Sequence, residues 1–78
     1  MDPAYESKYL QLGLKIAYYR KLRGLTQEQL AEKIERTPAF IGHVEAPNIC
    51  KAISLDTLFD ISKELNIPPY KFLIFEEE

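Results

Sequence analysis

The sequence predicts an all-α fold. Apolar residues recur three and four positions apart, as on the buried face of a helix, and Leu55, Leu58, Ile61 and Leu65 give one such series. No segment shows the sustained two-residue alternation of a strand. Gly, Pro and capping residues divide the chain into five helical segments. At 78 residues the chain is expected to form one domain, residues 1–78.

The first two predicted helices meet at a glycine. The first covers about residues 7–23 and ends at Gly24, because glycine readily adopts the left-handed conformation that ends helices. Thr26 is the expected N-cap of the second, about residues 27–34, and Gln29 follows three residues later as in a capping box.

The third helix is expected at about residues 38–45. Thr37 is a good N-cap, and Pro38 occupies the first helical position, where its missing N–H has no consequence. Two short helices joined by a tight turn are typical of a helix-turn-helix, which here would span about residues 26–46.

Two further helices complete the prediction. Ser54 is the expected N-cap of the fourth, about residues 55–65. The prolines at 68 and 69 begin a short fifth helix, about residues 69–75.

Charge is distributed unevenly along the chain. The net charge is −2, but residues 8–51 carry eight basic and four acidic groups, a net +4. Residues 52–78 carry two basic and six acidic groups, a net −4, and Asp2 and Glu6 account for the remaining −2. Because a polyanion responds to the local field, the basic part of the chain is compatible with a nucleic-acid partner.

The sequence lacks the residues that several classes of function require. One cysteine, Cys50, and one histidine are too few for a disulfide or a structural zinc site, so we expect no metal and no cofactor. There is no glycine-rich phosphate loop and no nucleophile–base set, which argues against an enzyme. With no long apolar run and no basic-then-apolar N-terminus, we expect no membrane span, no signal peptide and a cytoplasmic protein.

Residues 10–75 resemble the helix-turn-helix domains of Cro and the phage repressors, the XRE family. The most specific match is Gly-Leu-Thr-Gln at residues 24–27 followed by Leu-Ala at residues 30–31. The resemblance implies a compact five-helix, lambda-repressor-like domain whose second and third helices form the helix-turn-helix. Members of the family are bacterial and phage DNA-binding proteins, usually dimeric transcription regulators.

The resemblance also implies site residues. The position of Gln27 contacts the DNA backbone in the family, and helix 3 would lie in the major groove with residues 38, 39, 40 and 43 at base edges. Lys15, Lys33, Arg36 and Lys51 are candidates for further phosphate contacts, but for any one of them alone a solvated surface side chain is an equally good interpretation. The predicted DNA-binding set is Gln27, Lys33, Arg36, Thr37, Pro38, Ala39, Phe40, His43 and Lys51.

Three of the four base-edge positions, Pro38, Ala39 and Phe40, depart from a typical base-contacting helix. Base discrimination usually relies on bidentate hydrogen bonds, yet among the four base-edge positions only His43 has a side chain that can form one. For Phe40, core packing or a contact with a partner is as consistent with the sequence as DNA contact, and the alternative for His43 is an exposed histidine without a role. In addition, Glu35 replaces the glycine usual in the turn, which would cost about 1 kcal/mol in a left-handed backbone.

Two further features concern structure. Arg20 and Glu45 stand where the family places a paired Arg and Glu that links helix 1 to the end of helix 3, a structural ion pair. Helix 1 also carries apolar residues on two faces, and the tail, about residues 69–78, is unusually apolar. The tail could pack over helix 1 of the same chain, or these surfaces could form a twofold homodimer through Leu14, Tyr18, Leu22, Phe72, Ile74 and Phe75.

The sequence therefore predicts a sequence-specific regulator of transcription that binds double-stranded DNA, acting as a dimeric repressor without a small-molecule effector. The alternative is a degenerate helix-turn-helix that serves as a protein-interaction module or an antitoxin-like partner. Apolar residues at the base-contacting positions and the negative total charge favour this alternative, and the basic residues between 8 and 51 oppose it.

Overall fold

The computed structural model describes residues 3–76, so residues 77 and 78 of the predicted tail lie outside the described part. Within that range the chain has no strand and two 3-10 turns, Pro3–Tyr5 and Pro69–Leu73. Its four α-helices are α1 (Glu6–Leu22), α2 (Gln27–Lys33), α3 (Pro38–Glu45) and α4 (Leu55–Leu65). None of the described helices is both long and apolar enough to cross a membrane.

The helix ends follow the local signals in the sequence. Thr26 accepts a hydrogen bond from the backbone N–H of Gln29, whose side chain accepts one from the backbone N–H of Thr26, so the predicted capping box is present. At α3 and α4 only one of these two bonds is present: Thr37 accepts from the backbone N–H of Phe40 and Ser54 from that of Thr57. The observed bounds of α1 to α4 consequently lie within one residue of the predicted ones.

The predicted fifth helix is instead the five-residue 3-10 turn Pro69–Leu73. A segment this short forms too few hydrogen bonds of the α-helical type to be stable as an α-helix, and short segments of this kind commonly form 3-10 turns. The segment is held by Phe72, whose side chain is fully buried and packs edge-on against Tyr19 with ring centroids 5.2 Å apart. Four helices and this turn therefore replace the predicted five helices.

The core lies between α1, α3 and α4 and is closed by α2 and the C-terminal turn. Its largest fully buried side chains are Phe72, Ile16, Leu30, Ile41, Leu58, Ile61 and Leu65. Ala31 is also completely buried, so α2 and α3 can pack closely.

Helix α1 crosses the end of α3 at Gly13. A Cβ atom built on Gly13 would lie 2.0 Å from the carbonyl oxygen of Val44, well inside any permitted contact. Only a glycine allows the two backbones to approach this closely, and the crossing therefore fixes where α3 lies on α1.

Candidate nucleic-acid interface

A buried ion pair fixes the C-terminal end of α3. The Arg20 guanidinium donates from Nε to Glu45 Oε2 at 2.7 Å and from Nη2 to Glu45 Oε1 at 2.8 Å. Arg20 also donates to the backbone carbonyl of Leu25 at 2.6 Å, in the turn before α2. Both charged residues are only 7% exposed. The pair implied by the resemblance is thus present, and it joins α1, the turn and α3.

Gln27 belongs to the same network. Its side-chain Nε2 donates to Glu45 Oε1 at 3.0 Å, and its Oε1 lies beside Gly42 on α3. Gln27 is half-buried at the first position of α2. Its amide therefore stands at the seam between α2 and α3, next to the solvent-facing side of α3.

Helix α3 has one buried side and one open side. Ile41, Val44 and Glu45 are buried, whereas three of the four predicted base-edge residues, Pro38, Ala39 and His43, lie on the open side. Pro38, Ala39 and His43 are exposed and Gly42 is half-buried. The small side chains on this side would let another molecule approach the helix backbone closely.

Phe40, the fourth predicted base-edge residue, is less exposed than Pro38, Ala39 and His43. Its side chain is half-buried and packs against the core, and the Arg36 guanidinium carbon lies 3.7 Å from its ring centroid. The ammonium of Lys51 lies 5.9 Å from the same centroid. Thr37 is exposed and caps α3 by accepting from the backbone N–H of Phe40 at 3.2 Å. The structure thus gathers Arg36, Phe40 and Lys51 into one cluster at the N-terminal end of α3.

Lys33 lies apart from that cluster. It is exposed on α2 and lines a shallow, open groove with Leu25, Gln29 and Glu32, a set without any other predicted DNA-binding residue. Of the nine predicted residues, Lys33 is therefore the one that the structure does not connect to α3.

The predicted dimer residues separate into two groups. Leu14, Tyr18 and Leu22 are 51%, 62% and 58% exposed on α1, and Ile74 is exposed in the tail. Phe72 is fully buried inside the monomer and Phe75 is half-buried against the core. The prediction that Phe72 lies at a dimer surface is therefore wrong, because the C-terminal turn needs this ring to seal the core.

The tail packs over α1 of the same chain. The backbone N–H of Glu76 donates to Gln11 Oε1 at 2.9 Å, and the Phe72 ring packs on Tyr19. An open cleft remains beside this contact, lined by Ser7, Gln11, Leu14, Lys15, Tyr18, Tyr19 and Glu76. The Leu14–Tyr18–Leu22 face is thus left uncovered in the monomer.

Sequence reasoning missed three positioning residues. Gly13 makes the crossing with Val44 possible, and Arg23 donates to the carbonyls of Leu65 and Asn66 at 2.7 and 3.1 Å, which caps the C-terminal end of α4. Thr57 accepts a hydrogen bond from Arg36 at 3.3 Å. Their partners are distant in sequence, so only a glycine inside a predicted helix gave a signal.

The described residues contain no group of three histidine, cysteine or acidic side chains placed to hold a metal ion. What the described residues present for binding is the pair of cations of Arg36 and Lys51 beside the small residues on the open side of α3.

Comparison with known proteins agrees with this geometry. A family model described as helix-turn-helix matches residues 16–72, more than half of the chain. The chain belongs to this family, the helix-turn-helix domains of the Cro and phage-repressor type. A search of curated proteins gave no match.

Proposed function

We propose that this helix-turn-helix protein is a transcriptional regulator that binds double-stranded DNA sequence-specifically and places the open side of α3 in the major groove. The observation that supports this most directly is the position of that side. Ala39, Gly42 and His43 face solvent at the same end of the fold as the cations of Arg36 and Lys51. Cations beside an accessible helix supply the phosphate contacts that position a recognition helix.

Base discrimination would then combine few direct contacts with DNA shape. His43 can donate to or accept from a base edge, and the methylene and methyl groups of Pro38 and Ala39 can contact thymine methyl groups. Gln27, held between Glu45 and Gly42, would meet the backbone beside the groove. Sequence-dependent deformability of the duplex would supply the rest of the specificity.

Selection from a random duplex pool, at low and at physiological salt, tests this proposal. We expect enrichment of an inverted repeat, because a dimer presents two α3 helices about 34 Å apart to one face of the duplex. Retention without enrichment at either salt would contradict sequence-specific binding. The absence of retention even at low salt would contradict DNA binding altogether.

Repeating the selection with charge-reversed variants tests whether the cluster is part of the interface. Arg36→Glu together with Lys51→Glu, the two cations of the cluster, should abolish enrichment, whereas Lys63→Glu, an exposed position on α4, should leave it unchanged. If the double variant enriched the same sequences as the wild type, the proposed interface would be wrong.

We also propose that the regulator is a homodimer and a repressor. Leu14, Tyr18 and Leu22 form an exposed apolar row on α1, and Tyr18 packs edge-on against Tyr19, which contacts the core at Phe72. A row supported so rigidly is suited to a twofold contact. Repression would follow if the bound helix-turn-helix occupied a DNA site that another protein needs.

Analytical ultracentrifugation across protein concentrations tests the dimer. Tyr18→Glu should shift the population to monomer, and Tyr70→Glu, at an equally exposed tyrosine outside the row, should not. Equal sedimentation of the wild type and of both variants would contradict a dimer through α1.

The same apolar row favours the second candidate function, a protein-interaction module or an antitoxin-like partner. In that case a different protein would cover Leu14, Tyr18 and Leu22, and the open side of α3 would have no ligand. The charge reversal described above discriminates between the two functions, because it should matter little to an interaction made through α1.

A further inference from the structure

We propose that Phe40 is a positioning residue rather than a base-contacting one. Its ring holds the side chains of Arg36 and Lys51 as a pair of cations that grips the DNA backbone beside α3. This inference rests on the proposed function and assigns a role within it. It also resolves the alternatives left open for Phe40, since the ring serves the interface without entering the groove.

The ring of Phe40 lies close to both cations. The Arg36 guanidinium carbon is 3.7 Å from the ring centroid, a stacking distance, and the Lys51 ammonium at 5.9 Å lies within the range of a cation–π interaction. Because both distances share one centroid, the two cations are within about 10 Å of each other, roughly one Debye length at 0.1 M salt. A backbone phosphate could therefore experience both of them.

Both the Phe40 ring and the Arg36 side chain are held by contacts with the rest of the fold. Phe40 is half-buried against the core, and its backbone N–H is bonded to the capping hydroxyl of Thr37. Arg36 is in turn held at a second point, because its Nη1 donates to Thr57 Oγ1 at 3.3 Å. Thr57 is buried and accepts a further hydrogen bond from Ser54. A guanidinium fixed at two points loses less rotamer entropy when it meets a phosphate.

Arg36 and Lys51 bring two positive charges close together at the Phe40 ring. Among residues 3–76, neither Arg36 nor Lys51 forms a salt bridge with a carboxylate. Two cations held near one ring repel each other, and the ring quadrupole offsets only part of that repulsion. An anion between or beside them would remove the imbalance. The polyanion that the family binds has this chemistry at every nucleotide.

The experiment measures affinity for a 20-base-pair duplex of arbitrary sequence as a function of salt, since phosphate contacts do not depend on sequence. Phe40→Leu keeps an apolar side chain but removes the aromatic ring. Phe40→Tyr, the control variant, retains the ring. We expect Phe40→Leu to bind about three- to tenfold more weakly at low salt and to lower the salt slope by about one phosphate contact. Phe40→Tyr should stay within about twofold of the wild type with an unchanged slope.

A double-mutant cycle with Arg36→Gln identifies the route of the effect. If Phe40 acts through Arg36, adding Phe40→Leu to Arg36→Gln should weaken binding by no more than about twofold. Additive losses with an unchanged salt slope would overturn the inference, because they would mean that Phe40 contacts the duplex directly. Wild-type slope and affinity in Phe40→Leu would overturn it as well.

Two further outcomes keep the tests distinct. If the wild type binds no duplex at low salt, the proposed function fails and the inference fails with it. If the wild type binds and Phe40→Leu does not fold by circular dichroism, Arg36→Gln and Lys51→Gln replace it in the cycle. Coupling between those two cations then supports the shared grip, and independent effects overturn it.

Discussion

Helix α3 has one side that packs against the rest of the protein and one side that faces solvent. Two positions at the packed side tolerate few substitutions. Gly13 of α1 lies against the backbone carbonyl of Val44, and Glu45 of α3 is paired with the buried Arg20 guanidinium. On the open side Gly42 would contact only a flexible side-chain atom of Gln27, 3.6 Å from an added Cβ. Substitutions on the packed side should therefore change the stability of the protein, and substitutions on the open side should change what α3 binds.

The strongest test of this contrast is the buried ion pair. Glu45→Gln leaves the Arg20 charge buried without its carboxylate, and we expect the free energy of unfolding to fall by about 3 kcal/mol. Urea denaturation measures this. Glu64→Gln, an exposed acid on α4, should change it by less than about 0.5 kcal/mol. Equal stability of the two variants would show that the pair does not hold α3 in place.

The glycine at the crossing comes next. Gly13→Ala forces α1 away from the carbonyl of Val44, and we expect a loss of about 2 kcal/mol in the free energy of unfolding. The gain in helix propensity of alanine over glycine, about 1 kcal/mol at most, cannot offset the clash. A thermal melt at or above that of the wild type would contradict the close approach of the two helices.

A third prediction concerns the turn between α2 and α3. Glu35 has φ +57°, a left-handed conformation that strains any residue with a Cβ. Glu35→Gly should raise the free energy of unfolding by up to about 1 kcal/mol, since relief of strain exceeds the added entropy of the unfolded chain. Glu35→Ala removes the same charge but keeps the Cβ. If the alanine variant gained as much stability as the glycine variant, charge and not strain would be the cause.

The last prediction concerns Gly42 on the open side of α3, where a substitution should change the stability least and lower the affinity for DNA. Gly42→Ala meets no backbone, so we expect the free energy of unfolding to change by no more than about 1 kcal/mol, in the stabilising direction. On the open side the added methyl group would hold the duplex away, and affinity measured by fluorescence anisotropy should fall roughly tenfold, about 1.4 kcal/mol. Unchanged affinity would place the DNA elsewhere on the protein.

Local signals were sufficient to predict the four α-helices of residues 3–76, although the same kind of signal at the prolines 68 and 69 wrongly predicted a fifth. The capping threonines and Ser54 act within three residues of themselves, so the sequence alone places the starts of α2, α3 and α4. The strained backbone at Glu35 was likewise predictable, because the resemblance indicated that a glycine usually occupies the turn.

Contacts between distant residues were not predictable in this way. Arg23 meets the end of α4 across 42 positions of sequence, and the burial of Phe72 depends on how the C-terminal turn closes the core. Phe40 stands on α3 at a base-edge position by count, but its side chain packs beneath Arg36. Spacing along a helix gives the face of a residue, and only the packed neighbours determine where a large side chain lies.

The central claim is that the open side of α3 and the cations beside it form the nucleic-acid interface. Titration of isotopically labelled protein with the selected duplex, followed by amide chemical shifts, tests this residue by residue. We expect the largest shifts at residues 36–43 and at Lys51, with small shifts at Leu14 and Tyr18. The claim would be contradicted if the largest shifts fell on α1 while residues 38–43 stayed unchanged.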